Sequence, residues 1–168
     1  IFWGSHTSYS LEEFVKRGSQ WVFDKVLNLT LNAAKYRGLR GSSYVDLPSY
    51  LKNKKAIINV KNNDDQCFKW AVLAALFPVA KNAERCSNYL QYDNHLKFKN
   101  IKFPIRLQDI AKFEAQNNLS IFVYHLSDEE NIQPLRKSNL KLPREHRIRL
   151  FLYKGHYSWI KNISRLLS

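Results

Sequence analysis

Cys67 stands at the point where a polar stretch, Asn62-Asn63-Asp64-Asp65-Gln66, gives way to the apolar run Phe68 to Leu76. That junction is where a helix is expected to begin, because Asp64 and Asp65 are good N-cap residues and Pro78 supplies a stop. A thiol in the first turn of a helix meets unpaired N–H groups and the positive end of the dipole, the usual preparation of a nucleophilic cysteine. A cysteine hydrolase also needs an imidazole to take and return a proton, and donors for the oxyanion. The N–H of Cys67, with the loop Asp64 to Gln66, is the candidate for the donors.

Five histidines compete for the role of base: His6, His95, His125, His146 and His156. His6 and His95 lie in segments without pattern, and His125 ends an apolar run that reads as a strand. The choice therefore falls between His146 and His156. They stand at opposite ends of an expected hairpin, residues 147–153 and 157–163 joined through Lys154-Gly155. Six residues of strand span roughly 20 Å, so one thiol reaches only one end. His156 would be oriented by Ser158, two residues on and on the same face, or by an acid from elsewhere. His146 would instead pair with Asn162, a Cys, His and Asn set whose spacing resembles the corresponding segment of papain. Both sets are chemically sensible.

The elements that must position these groups follow from periodicity. Ser10 and Glu13 form a capping box ahead of Phe14, Trp21, Val22, Val26 and Leu29, which recur at helical spacing. Gly38 and Gly41 close that segment, and a new element starts near Ser49. Ala-Ile-Ile-Asn-Val, residues 56–60, reads as a strand that delivers the chain to Cys67. Residues 79–103 read as an irregular surface with a short helix near Glu84 to Leu90, and Leu107 to Gln116 as a helix broken by Asn117 and Asn118. Strands follow: Ser120 to Leu126, Ile132 to Arg136, and the hairpin. Helices first and strands last describe an α+β domain, its buried nucleophile helix packed on a C-terminal antiparallel sheet. The expected organisation is a single domain over 1–168, with a helical lead-in at 1–40 and a catalytic core at 41–168.

Composition sets the outer bounds. The chain has 168 residues, of which 45% are hydrophobic, enough for one proper core. No apolar run approaches the roughly 18 residues that a membrane span requires, and the N-terminus lacks the basic and apolar regions of a signal peptide. An intracellular protein, in cytoplasm or nucleus, is expected. With Ile1 first and no methionine, the chain reads as a piece of a longer protein. Two cysteines without a CxxC pair argue against a disulfide framework and a structural zinc site, so Cys86 reads as structural or incidental, and neither metal nor cofactor is expected. The formal charge of +13 attracts polyanions, which makes nearby nucleic acid an expected partner.

Four stretches also carry a resemblance: GSSYVDLP, KNKKAIINVKNNDDQCFKWAVLAAL, KFPIRLQDIAKFEAQNNLSIFVYHL and HYSWIKNISRLL. From about Gly41 onward they are similar to a region ahead of the DNA polymerase in large proteins of Polinton (Maverick) type transposons and related viruses. The Cys-Phe helix start with a His-Tyr strand start resembles OTU-like cysteine proteases, mostly deubiquitinases of papain-like fold. The resemblance implies Cys67 as nucleophile, His156 as base, and Asp64 and Gln66 in the oxyanion loop. Where OTU enzymes carry Gly-Asn before the cysteine this chain has Asp65-Gln66, and where they carry Asp or Asn after His-Tyr it has Ser158. Three functions are thus expected in competition: a peptidase removing ubiquitin or a ubiquitin-like protein, a protease processing its own polyprotein, and an inactive DNA- or protein-binding accessory module of the polymerase.

Overall fold

The computed structural model describes residues 44–168, all within the second of the two units into which the chain divides, Arg37–Ser168. The capping box at Ser10, the helix expected over Phe14 to Leu29, the Gly38 and Gly41 stop and His6 lie outside the described residues. Helix α1 (Ser49–Asn53) leads to the short strand β1 (Ile57–Ile58), and helix α2 (Cys67–Leu76) follows. After the 3-10 turns Cys86–Asn88, Leu90–His95 and Leu107–Asp109 come α3 (Ile110–Asn117), β2 (Ser120–Leu126) and β3 (Ile132–Arg136). A last 3-10 turn, Arg144–His146, opens β4 (Arg147–Tyr153), then β5 (His156–Ile160) and α4 (Ile163–Leu167).

The strands form one five-stranded sheet in the order β1-β5-β4-β2-β3. The expected α+β character holds, but the sheet is mixed rather than antiparallel, because β2 and β4 run parallel, with Ser120 opposite Arg147 and Val123 opposite Leu150. The cause is β3, which turns back from β2 at the sheet edge. The chain must then return before β4 can pair on the other side of β2, and it arrives running the same way. The β4–β5 hairpin turns through Lys154 and Gly155, both at positive φ (48° and 84°), and pairs Tyr153 with His156. Two positive φ values in succession match the right-handed twist of the flanking strands, and the glycine adopts its value without Cβ strain.

Both faces of the sheet are covered. On one side α2 buries every residue from Cys67 to Ala74, and Phe68, Ala71 and Val72 share a core with Ile121, Val123, Ile148, Leu150, Leu152 and Tyr157. On the other side Leu51 of α1 and Leu166 of α4 pack with Ala56, Phe151 and Ile160. Alternation along β4 explains the split, since Ile148, Leu150 and Leu152 face one way and Phe151 the other. The stretch 79–103, expected as surface, contributes Tyr89, Leu96 and Ile101 to the main core. Its apolar residues are spaced by turns rather than by a helical or strand period, so periodicity could not assign them to a face.

Three element limits differ from those expected. The strand predicted over 56–60 pairs only at Ile57 and Ile58, opposite Ile160 and Trp159. The strand expected to run to residue 163 ends at Ile160, and Asn162 caps α4 by accepting from the N–H of Arg165 at 2.9 Å. The helix expected from Leu107 begins with a 3-10 turn and reaches Asn117, where Asn118 ends it in the left-handed region (φ 51°), a conformation asparagine tolerates.

Candidate active site

Three elements supply the candidate residues: the loop before α2 leads into Cys67, the start of β5 meets its sulfur, and the residue that follows β1 meets His156. The cysteine is the first residue of α2 and is 3% exposed. Its Sγ accepts the backbone N–H of Tyr157 at 3.5 Å, which sets the sulfur against the peptide joining His156 to Tyr157. Phe68 and Tyr157 hold this packing from behind, their rings edge to face at 5.3 Å.

His156 is 1% exposed, and its Nε2 lies 2.8 Å from Oδ1 of Asn59. Because Nδ2 of Asn59 donates to the carbonyl of Val45 at 2.9 Å, it is the amide oxygen that faces the ring. An acceptor there calls for a proton on Nε2, and the neutral imidazole then carries its lone pair on Nδ1, as a base requires. Ser158 donates its Oγ–H to the same Oδ1 at 2.9 Å, so it braces Asn59 rather than touching the imidazole itself. Tyr44 closes the site from the side, its ring edge-on to His156 with centroids 6.1 Å apart. Burial, then the Asp46 carboxylate that accepts its hydroxyl, push the Tyr44 phenol up to about 12.

Asn59 is the residue that reading the sequence missed. It sits inside the β-branched run Ala56 to Val60, one step beyond the Ile58–Trp159 pair and hence opposite Ser158. The available signal was an amide interrupting the apolar run that precedes the Cys67 loop.

The loop ahead of Cys67 is tied by Asp64, though not as a helix cap. The N-cap position belongs to Gln66, without a side-chain bond, and Asp64 Oδ1 accepts the Gln66 N–H at 3.0 Å from outside the helix. The indole N–H of Trp70 reaches both carboxylate oxygens (3.1 and 3.0 Å), and Asn62 Nδ2 adds a bond at 2.9 Å. Burial pushes the Asp64 carboxyl up, but the bonds from Asn62, Trp70 and Gln66 with the charge of Lys69 outweigh it and hold the group below its ordinary value. Lys69, the one charged residue of α2, is buried with its ammonium 2.6 Å from Asp93 and 4.2 Å from the centre of the Trp70 ring. Asp65 is exposed and Gln66 half-buried.

A helix N-terminus was expected to lower the Cys67 thiol. Burial dominates instead and pushes it up, against the pull of the N–H groups of Tyr157, Phe68 and Cys67, while Asp64 adds to the rise. Burial thus favours the neutral thiol.

The other candidates lie apart. His146 ends a 3-10 turn before β4, its Nδ1 3.0 Å from the carbonyl of Asn118, at the strand end remote from the Tyr153–His156 turn. Asn162 is the α4 cap. His95 joins Phe77 and Tyr92 in a ring cluster at the far end of α2, and His125 pairs with Gln133 within the sheet. Cys86 donates its S–H to the carbonyl of Lys61 at 3.2 Å, and burial raises its thiol to about 11. A cavity of about 260 Å³ opens beside Asn59, lined by Tyr44, Ile58, Lys61 and Glu84 among others. Among the described residues no group of His, Cys, Asp and Glu is arranged to hold a metal ion, and no helix is long and apolar enough to cross a membrane.

Cys67 is thus a buried cysteine at a helix start whose sulfur meets the His156–Tyr157 peptide, and the Asn59 amide holds Nε2 of His156. No family model, curated protein or solved structure matches the chain.

Proposed function

We propose that this chain is a cysteine-dependent isopeptidase of papain-like design that removes ubiquitin or a ubiquitin-like modifier from proteins. The observation that carries the reading is the contact of the Cys67 sulfur with the His156–Tyr157 peptide, together with the Asn59 amide holding Nε2 of His156. His156 Nδ1 takes the Cys67 proton as the sulfur attacks the carbonyl carbon of the scissile bond. The N–H of Cys67 and the side chain of Gln66 meet the oxyanion, and His156 returns the proton to the departing amine. Water, deprotonated by the same nitrogen, then releases the acyl group and restores the thiol. The proposed substrate is a modifier that ends in a narrow Gly-Gly tail, which the half-buried Trp159 of β5 would help confine. The likeness to OTU-like proteases supports this reading through Cys67, His156 and Asp64, with Asn59 in the orienting role in place of Ser158 or Asn162.

The test is a ubiquitin probe bearing a C-terminal electrophile. A covalent adduct that forms on the wild type and disappears in Cys67→Ala supports the reading. Absence of an adduct, with the Cys67 thiol also inert to small alkylating agents, would instead favour an accessory module without chemistry, the reading that the buried, raised thiol supports.

A further inference from the structure

Two stretches far apart in sequence carry cations and no acid. Between Asp46 and Asp64 the chain has Lys52, Lys54, Lys55 and Lys61 without an Asp or Glu, and after Glu145 it has Arg147, Arg149, Lys154, Lys161 and Arg165, again without one. The fold lays these stretches together. β1 pairs with β5, Leu51 of α1 and Leu166 of α4 share a core, and the N–H of Lys161 donates to the carbonyl of Ala56 at 2.8 Å. Where they meet, a cavity of about 500 Å³ is lined by Asn53, Lys54, Lys55, Arg165 and Ser168. Lys54 is anchored there by donating to the carbonyl of Leu166 at 2.8 Å, while Lys55, Lys161 and Arg165 are exposed. Acid reaches the edge of this face at Lys52 of α1, but among the described residues no ion pair joins Lys54, Lys55, Lys161 or Arg165 to an acid. Asp46 binds Lys52 and Tyr44, and Asp64 is held by Trp70 and Asn62.

From this juxtaposition we propose a nucleic-acid site on the α1–α4 face, in which Lys54, Lys55, Lys161 and Arg165 contact successive phosphates. The grouping of four cations is what selects a polyanion: an acidic peptide or a free phosphate needs one or two cations, whereas a run of phosphates uses several in succession. A membrane surface carries the same phosphate chemistry, but it also needs an apolar face to insert. Both short helices spend theirs on the core through Leu51 and Leu166, and only Tyr50 and Leu167 remain outside. The contacts read phosphate, so the site binds without sequence preference.

The experiment uses the full chain and fluorescence anisotropy with a labelled 20-nucleotide single strand and the corresponding duplex, over a series of NaCl concentrations. The variant Lys55→Gln, Lys161→Gln, Arg165→Gln changes exposed side chains only, and a thermal melt checks that it folds. It is expected to weaken binding about tenfold or more and to reduce the slope of log Kd against log salt by about 2 to 3, close to one per phosphate contact removed. The control Lys97→Gln, Lys99→Gln, Lys102→Gln removes the same charge from the loop that packs beside α3, and should leave the slope within about one of the wild type. Equal losses in both variants would show that net charge alone attracts the strand, and would overturn the site. So would an absence of binding at 50 mM salt, or binding confined to vesicles containing phosphatidylserine. Peptidase activity of the α1–α4 variant should be unchanged, so the result stands or falls independently of the function proposed for Cys67.

Discussion

In the proposed reaction the amide of Asn59 would do for His156 what a carboxylate does in many hydrolases, with one physical difference: it holds the ring without adding charge. Removing it takes away the acceptor that keeps the proton on Nε2 and leaves Ser158 without its partner. Asn59→Ala is therefore expected to lower kcat by about 10- to 100-fold, equivalent to about 1.4 to 2.7 kcal/mol of transition-state stabilisation, with KM little changed. Ser158→Ala, which loses only the brace, should cost less than tenfold. A rate for Asn59→Ala equal to the wild type would remove it from the catalytic set. His146→Ala should leave most activity, since its ring binds the Asn118 carbonyl at the other end of β4. The cysteine and the competing histidines were legible because their types are rare and their places in the pattern unusual. Asn59 was not, because an asparagine owes its role here to a register that only the folded sheet sets.

The loop and helix that present Cys67 depend on one carboxylate with several donors. Trp70→Phe keeps the ring under the Lys69 ammonium but deletes the indole N–H that reaches both oxygens of Asp64. A charged acceptor losing such a bond costs about 1.5 to 3 kcal/mol when buried, and less here because Asp64 is partly exposed. The sign with pH follows from the depressed Asp64 carboxyl. Its contribution is present above the ordinary carboxylate value and is lost as pH falls through the lower folded value. In Trp70→Phe the carboxyl moves back up, so the loss should begin at higher pH, seen as an acid limb of kcat displaced upward. An unmoved acid limb would show that the clamp does not govern the loop. Elsewhere α3 is fastened to the sheet by a buried pair, Glu114 with Arg136 at 2.6 Å, and Glu114 also accepts the N–H of Ile121. Arg136→Ala strands that carboxylate and should cost about 3 to 5 kcal/mol in denaturant unfolding. The helix from 110 was legible in its apolar spacing. The pairing was not, because Glu114 and Arg136 look like surface charges until β3 folds back beside β2.

The sheet shows where reading elements in order stops being enough. Each of β2 to β5 was visible as an apolar run with turn residues between, and the Lys154-Gly155 hairpin gave its own register. Local patterns carry no information about which strand lies between which, so the parallel β2–β4 pair and the two-sided core were beyond reach. That core also fixes how the molecule responds to alkali. Burial raises Cys67, raises Cys86 from 9.0 to about 11, and raises Tyr89, with Glu84 adding, from 10.0 to about 12. For groups whose neutral form is the protonated one, a folded value above the unfolded one means that the unfolded chain releases its proton first. Their contribution to stability is then complete below about pH 9 and is lost as pH rises through the folded values near 11 and 12. One effect opposes this: the net charge of +13 shrinks as lysines lose their protons, which relieves self-repulsion. The two separate in salt, since at 1 M the screening length is about 3 Å and the general repulsion between exposed charges is largely gone, while buried groups are screened much less. Thermal midpoints measured at 1 M NaCl should therefore be level up to about pH 9 and then fall steadily. Cys86→Ser, whose hydroxyl keeps the bond to the Lys61 carbonyl without titrating, should show a shallower fall. A midpoint that stayed constant from pH 8 to 11 in high salt would mean that these thiols and phenols are not held away from water, and the packing around Cys86 and Tyr89 would have to be redrawn.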